Sequence, residues 1–285
     1  MARLSGNRQL RDDSGRPLTC LAEVNALAAD AKERIYGAML PPRLLRMLDI
    51  DPETLLGRDG GRKVTFIAPP GMGLLRIEVR LHPGDRDTVF FIELADTHFR
   101  QMEFSFCIIS DPSSPRFDVD LDMNGRDNCF ATMGRNVPEE IRAMAAGLFP
   151  NQTRRGLHLF GDFFPLLERL VDSFGMEMIV AEPLTYDNAI RFEKYGFDYL
   201  TGRRLMREID EGFRPGGPLC RKLDGSTPFR QPGMEKTVRG RSWAIHDGVM
   251  EEPWDNVRIY KMIGEHAGVN TFSDREEESV PREGS

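Results

Sequence analysis

Residues 156–209 read GLHLFGDFFPLLERLVDSFGMEMIVAEPLTYDNAIRFEKYGFDYLTGRRLMREI. Leu157, Phe160, Phe164, Leu167, Leu170, Val171 and Phe174 recur at helical spacing. Gly175 follows, a residue free to take positive φ and close the helix. Residues 176–181 are a short apolar run between turn signals, the pattern of a buried strand. Pro183 ends that run. Residues 186–195 read as a second helix closed by Gly196, and 198–209 as a last strand. A strand–helix–strand unit of this length fits a parallel or splayed pair of strands with a helix across them.

Upstream the texture is β-rich. Residues 63–68, 74–81, 88–95, 100–109 and 116–122 read as strands, and the separators carry Pro, Gly, Asp or Ser. Close spacing of this kind favours an antiparallel meander. Residues 125–136 read as a loop. Pro138 then opens a helix to residue 148, with Glu139 and Glu140 at its positive end. Residues 149–156 form a linker. The N-terminal part starts with a polar stretch, 1–17. A helix capped by Thr19 then runs to Tyr36, and shorter helices begin at Arg43 and Asp51. Beyond residue 211 Gly, Pro and Arg dominate without a period, which suggests an irregular extension. Apolar content returns at 242–268, and 273–285 is an acidic tail. The expected organisation is an N-terminal helical segment (1–60), a main domain (61–211), a C-terminal extension (212–272) and the tail. The expected fold class is α+β, an α/β sandwich whose mixed sheet is largely antiparallel and flanked by helices.

Composition narrows the function classes. The formal net charge is -7, from 45 acidic and 38 basic side chains. That argues against a general nucleic-acid binder, which needs a basic footprint. The longest apolar runs fall short of a membrane span, and residues 1–16 lack the apolar core of a secretory signal. Cys20, Cys107, Cys129 and Cys220 show no C-x-x-C spacing, as expected of reduced thiols in a cytoplasmic protein. No Gly-x-Ser-x-Gly elbow, P-loop or His-x-x-x-His pair occurs.

Asn188-Ala189-Ile190-Arg191-Phe192-Glu193-Lys194-Tyr195-Gly196-Phe197, with the element order around it, resembles the late segment of the GCN5-related N-acetyltransferase (GNAT) superfamily. The resemblance covers residues 63–209, and its sharp part is about ten residues. It implies a GNAT-like sheet, acetyl-CoA or another acyl-CoA as cofactor, and a small-molecule or peptide amine as acceptor. By that resemblance a backbone N–H at Val180 polarises the thioester carbonyl. Arg154, Arg155 and Gly156 meet the cofactor diphosphate, and Asn188 holds the cofactor arm. Glu103 or Asp120 serves as base. The family's tyrosine acid falls on Phe192, with Tyr195 nearby. The glycine spacing of the family's diphosphate loop is not reproduced in 152–161. These departures leave open a GNAT-like binding or regulatory module.

One further pattern stands apart. If 116–122 is a strand, Asp118, Asp120 and Asp122 share one face. Three carboxylates so close repel unless solvated or paired with a cation. A metal-dependent enzyme is the third reading, although Ala131 stands where a calcium loop starting at Asp120 needs its glutamate.

Overall fold

A computed structural model of the chain describes residues 9–272. In chain order the elements are α1 (Leu21–Asn25), α2 (Ala29–Gly37), α3 (Pro42–Met47), β1 (Val64–Ile67), β2 (Leu74–Val79), β3 (Phe90–Asp96) and β4 (Met102–Ile109). Then come α4 (Val137–Ala145), α5 (Phe160–Ser173), β5 (Met178–Ala181), α6 (Tyr186–Lys194), β6 (Asp198–Thr201), α7 (Arg203–Gly212), α8 (Pro218–Arg221), a 3₁₀ turn (Met234–Lys236), α9 (Val238–His246) and β7 (Arg258–Met262). The strands form a mixed sheet in the order β1-β2-β3-β4-β5-β7-β6. The class is α+β, with antiparallel neighbours through β4 and a parallel pair at β4–β5.

The described residues divide into two units. The first takes those up to Ser114, with Gly156–Ala181 and Tyr260–Glu265. Its meander alternates. Leu75, Ile77 and Val79 on β2, and Phe90, Ile92 and Leu94 on β3, are buried, while their neighbours are half-exposed. That is the period of a sheet with one covered face. Helix α5 packs on the covered face: the Phe163 ring lies 5.4 Å from Phe90 and 5.9 Å from Phe104. Phe163, Phe164, Leu167, Leu170 and Val171 make the buried stripe, the i, i+1, i+4, i+7, i+8 pattern of an amphipathic helix.

Residues 20–36 are two helices rather than one. Asp96, at the end of β3, caps the first: its oxygens accept from Leu21 N and Ala22 N at 2.9 Å. Thr19 is turned to Glu23 instead, its backbone N–H donating at 2.6 Å. Asn25 donates to Met72 O and Leu74 O, at 2.6 and 2.8 Å, and accepts from Tyr36 Oη at 2.5 Å. These long-range bonds hold the end of α1 where periodicity alone would let it continue.

The second unit comprises Pro115–Arg155, Glu182–Ile259 and the described residues from His266 on. Phe117, Val119, Ala143, Leu148, Phe229 and Trp243 form one core cluster. The Trp243 ring stacks on Phe229 at 5.2 Å and its indole N–H donates to Leu148 O at 2.9 Å. The aperiodic stretch after residue 211 contributes α8 and the start of α9, and Trp243 lies in the stretch where apolar content returns. Thr237 caps α9, its Oγ1 accepting from Gly240 N at 3.0 Å.

Two expected strands differ. Residues 116–122 form turns and an isolated bridge, Leu121↔Asp127. Residues 198–209 begin as β6, but Gly202 at φ 91° turns the chain into α7. A Cβ on Gly202 would come within 2.9 Å of the Val257 side chain. Met206 and Ile209, buried in α7, have helical spacing that a strand would waste. The acidic stretch 273–285 lies outside the described residues.

Candidate functional site

In the first unit β4 and β5 meet briefly. Their ladder is Met102↔Ile179 and Glu103↔Val180. On its other edge β4 stays paired with β3 along its length, from Asp96↔Met102 to Phe90↔Ile109. That ladder shifts register: Leu94 faces Phe104 and Glu93 faces Phe106, so Ser105 has no opposite residue. Such a bulge bends its strand and increases local twist. Here it falls two residues past the last pair with β5. β5 ends at Ala181, and Pro183 cannot donate to a ladder. The short ladder therefore stops where β5 ends and just before the bulge in β4.

Glu103 stands at this point, half-buried, and its Oε1 accepts from Ser105 Oγ at 3.3 Å. Val180 is its buried partner in register. Gly156, also in the first unit, is half-buried ahead of α5. The first turn of α5 carries Asp162, 3.4 Å from Arg43.

The other expected site residues belong to the second unit. Arg155 donates to Ala146 O at 3.3 Å, and Arg154 is half-buried in the same linker. Asn188 is half-buried on α6, and Tyr195 is that helix's C-cap. The Phe192 ring packs 4.9 Å from Phe197. Asp118 and Asp120 both pair with Arg116, Asp120 at 2.7 Å. Asp122 closes a turn by accepting from Asn124 N and Arg126 N at 2.8 and 2.9 Å. The three aspartates do not share a strand face: Asp118 and Asp120 turn to Arg116, and the turn bonds accepted by Asp122 compete with a ladder. No cluster of three or more metal-ligating side chains occurs among the described residues.

The second unit holds buried charge that sequence reasoning missed. Arg241 is 0% exposed. Its Nη1 donates to Asp210 at 3.0 Å and to Tyr186 Oη at 3.2 Å, and its Nε donates to Glu235 O at 2.9 Å. Burial pushes the Tyr186 hydroxyl up to about 12 against the lowering influence of Arg241. Glu193 is 3% exposed and accepts from Tyr199 Oη at 2.6 Å. Burial, then the Glu193 charge, drives the Tyr199 hydroxyl well above the tyrosine range.

A second network centres on Glu140, 1% exposed. Arg135 donates to it from Nη2 at 2.6 Å and from Nε at 3.0 Å, and His246 Nε2 lies 3.0 Å away. Burial raises the Glu140 carboxyl, but His246 and Arg135 together hold it below the ordinary range. Asp247 joins Arg135 at 3.1 Å, Arg230 at 2.8 Å and Thr227 at 2.8 Å. Asp187 is buried near Arg191, at 3.9 Å, and burial pushes its carboxyl up. Arg135, Arg230, Arg241 and His246 sit in stretches without periodicity, so only their residue types could have hinted at partners.

A scan against family models returns no match, nor do searches of curated proteins and of solved structures.

Proposed function

We propose that the chain is an acyl-CoA-dependent N-acyltransferase, with acetyl transfer to an amine as its reaction. The observation that carries this reading is the two-pair parallel ladder that ends at Glu103↔Val180 beside the Ser105 bulge. By the resemblance, the backbone N–H of Val180 is the donor that would meet the oxyanion developing when an amine attacks a thioester. In that step the N–C bond forms and the C–S bond breaks. The amine proton passes to a base, and the thiolate leaves to be protonated. Glu103 is the base the geometry favours, because it stands at the parting itself. From the resemblance alone come Arg154, Arg155 and Gly156 for the diphosphate, Asn188 for the cofactor arm, and Asp120 and Tyr195 as further proton carriers. Cytoplasmic placement belongs to the same proposal.

Calorimetry with acetyl-CoA and longer acyl-CoAs tests it. Saturable binding supports the reading, and no heat at millimolar ligand ends it. If binding holds, Glu103→Gln should lower turnover about 10²–10⁴-fold, the usual contribution of a positioned base, with little change in acyl-CoA affinity. A second reading, a binding module without transfer, draws on Phe192, whose ring packs on Phe197 and has no proton to give. Acyl-CoA binding with no product from a broad amine panel would favour that module.

A further inference from the structure

In the second unit the chain from His266 runs back over the end of α6. Ala267 N donates to Gly196 O at 3.2 Å, and His266 Nε2 lies 3.3 Å from Lys194 O. Gly196, at φ 84°, permits this approach, since a Cβ there would come within 2.9 Å of His266 Cα. Residues 266–268 are exposed. The chain then turns inward. Thr271 N donates to Glu193 Oε2 at 2.8 Å and the Thr271 hydroxyl donates to Oε1. The Phe272 ring centre lies 4.8 Å from the Arg241 guanidinium carbon.

Two features distinguish this strap from ordinary packing. Its receptors are held without it: Tyr199 fixes Glu193, while Asp210, Tyr186, Glu235 and the Phe213 ring at 5.1 Å fix Arg241. Such a site needs little reordering to accept another occupant. The strap is also an incomplete occupant. It satisfies Glu193, but among the described residues Arg241 Nη2 has no acceptor. A buried donor without a partner is costly. Lifting the strap returns a carboxylate and a guanidinium to water, so it opens more easily than an apolar lid would.

We infer that Thr271 and Phe272 fill a binding site for a small zwitterion and that the strap is its lid. An ammonium or N–H group goes to Glu193, a carboxylate goes to Arg241 Nη2, and an apolar or aromatic body lies between them. The two receptors are reached by adjacent strap residues, whose Cα atoms are about 3.8 Å apart. The ligand is therefore the size of an amino acid or a dipeptide. Its carboxylate makes the charge-assisted bond that the strap lacks. The inference does not depend on acyl transfer.

The test uses the full chain and two probes, the dipeptide Thr-Phe and its C-terminal amide. The Thr271→Ala/Phe272→Ala variant should bind Thr-Phe about tenfold or more tightly than the parent chain, whose tethered strap competes at high effective concentration. The amide should bind about tenfold more weakly than the acid, the loss expected for one charged bond. Glu193→Gln in the strap variant should weaken both probes. Absence of Thr-Phe binding to a strap variant that keeps its circular dichroism would overturn the inference. Equal binding of acid and amide would do the same. Should the variant fail to fold, hydrogen exchange on the parent chain decides: the Thr271 amide should exchange by local opening, faster than the α9 interior. Exchange of that amide only through global unfolding would refute a lid.

Discussion

In the first unit Phe163 meets Phe90 and Phe104 at 5.4 and 5.9 Å, and Phe160 stacks on Phe164 at 5.5 Å. In the second unit α6 and α9 are joined through Arg241, Tyr186 and Asp210, and α4 is tied to α9 through Glu140 and His246. The apolar layer asks for volume and shape, and a side chain of similar bulk can repack. The charged layer asks for specific partners, because a buried ion that loses its partner keeps its desolvation cost. The two units should therefore answer differently to mild substitutions.

The largest effect should come from Arg241→Leu. It takes the buried guanidinium from Asp210, which keeps Arg214 at 3.0 Å, and from Tyr186 and Glu235 O, and should cost about 3–5 kcal/mol in urea denaturation. The double variant Arg241→Leu/Asp210→Leu should recover much of that loss, because a well-packed apolar pair replaces ions at little net cost. A double variant as unstable as the single one would break the contrast.

Acid sensitivity comes next. The folded Glu140 carboxyl titrates below the ordinary glutamate value, because His246 and Arg135 outweigh its burial. Its stabilisation is thus fully present above the unfolded value of about 4.3 and is lost as pH falls through the depressed folded value. Urea midpoints between about pH 6 and about pH 3 should fall for the parent chain, and Glu140→Gln should flatten that limb. An unchanged slope in the variant would mean that the acid response lies elsewhere.

Phe163→Leu should cost less, about 1–2 kcal/mol, since leucine keeps most of the apolar volume against Phe90 and Phe104. Parity with Arg241→Leu would erase the difference between the units. The smallest effect should be that of Thr237→Ala, about 1 kcal/mol, from loss of the Gly240 N bond at the start of α9. Thermal unfolding resolves it, and Thr237→Ser should restore the parent value.

The contrast also explains what could be read in advance. The four strands β1–β4, α5, β5 and α6 were legible because each buries an apolar face with its own period, whereas the strands at 176–181 and 198–209, read as a parallel or splayed pair, have β7 between them. The aspartates 118, 120 and 122 misled because their alternation looks like a strand in one dimension, while Arg116 draws in two of them and a turn takes the third. The split of α1 from α2 was hidden because Asp96 and Asn25 act across the chain. That Glu103 stands opposite Val180 in the β4–β5 ladder could not be read from the sequence, because register between distant strands is set in three dimensions.

By itself, the order of residues determined the class of the fold: apolar period and turn chemistry are local, and they sufficed where an element buries one periodic face, as in β1–β4, α5, β5 and α6. Which charges meet was decided only in three dimensions. Arg241 finds Asp210, Glu140 finds His246, and Thr271 finds Glu193. An ion pair needs only proximity in space, and no spacing along the chain announces it.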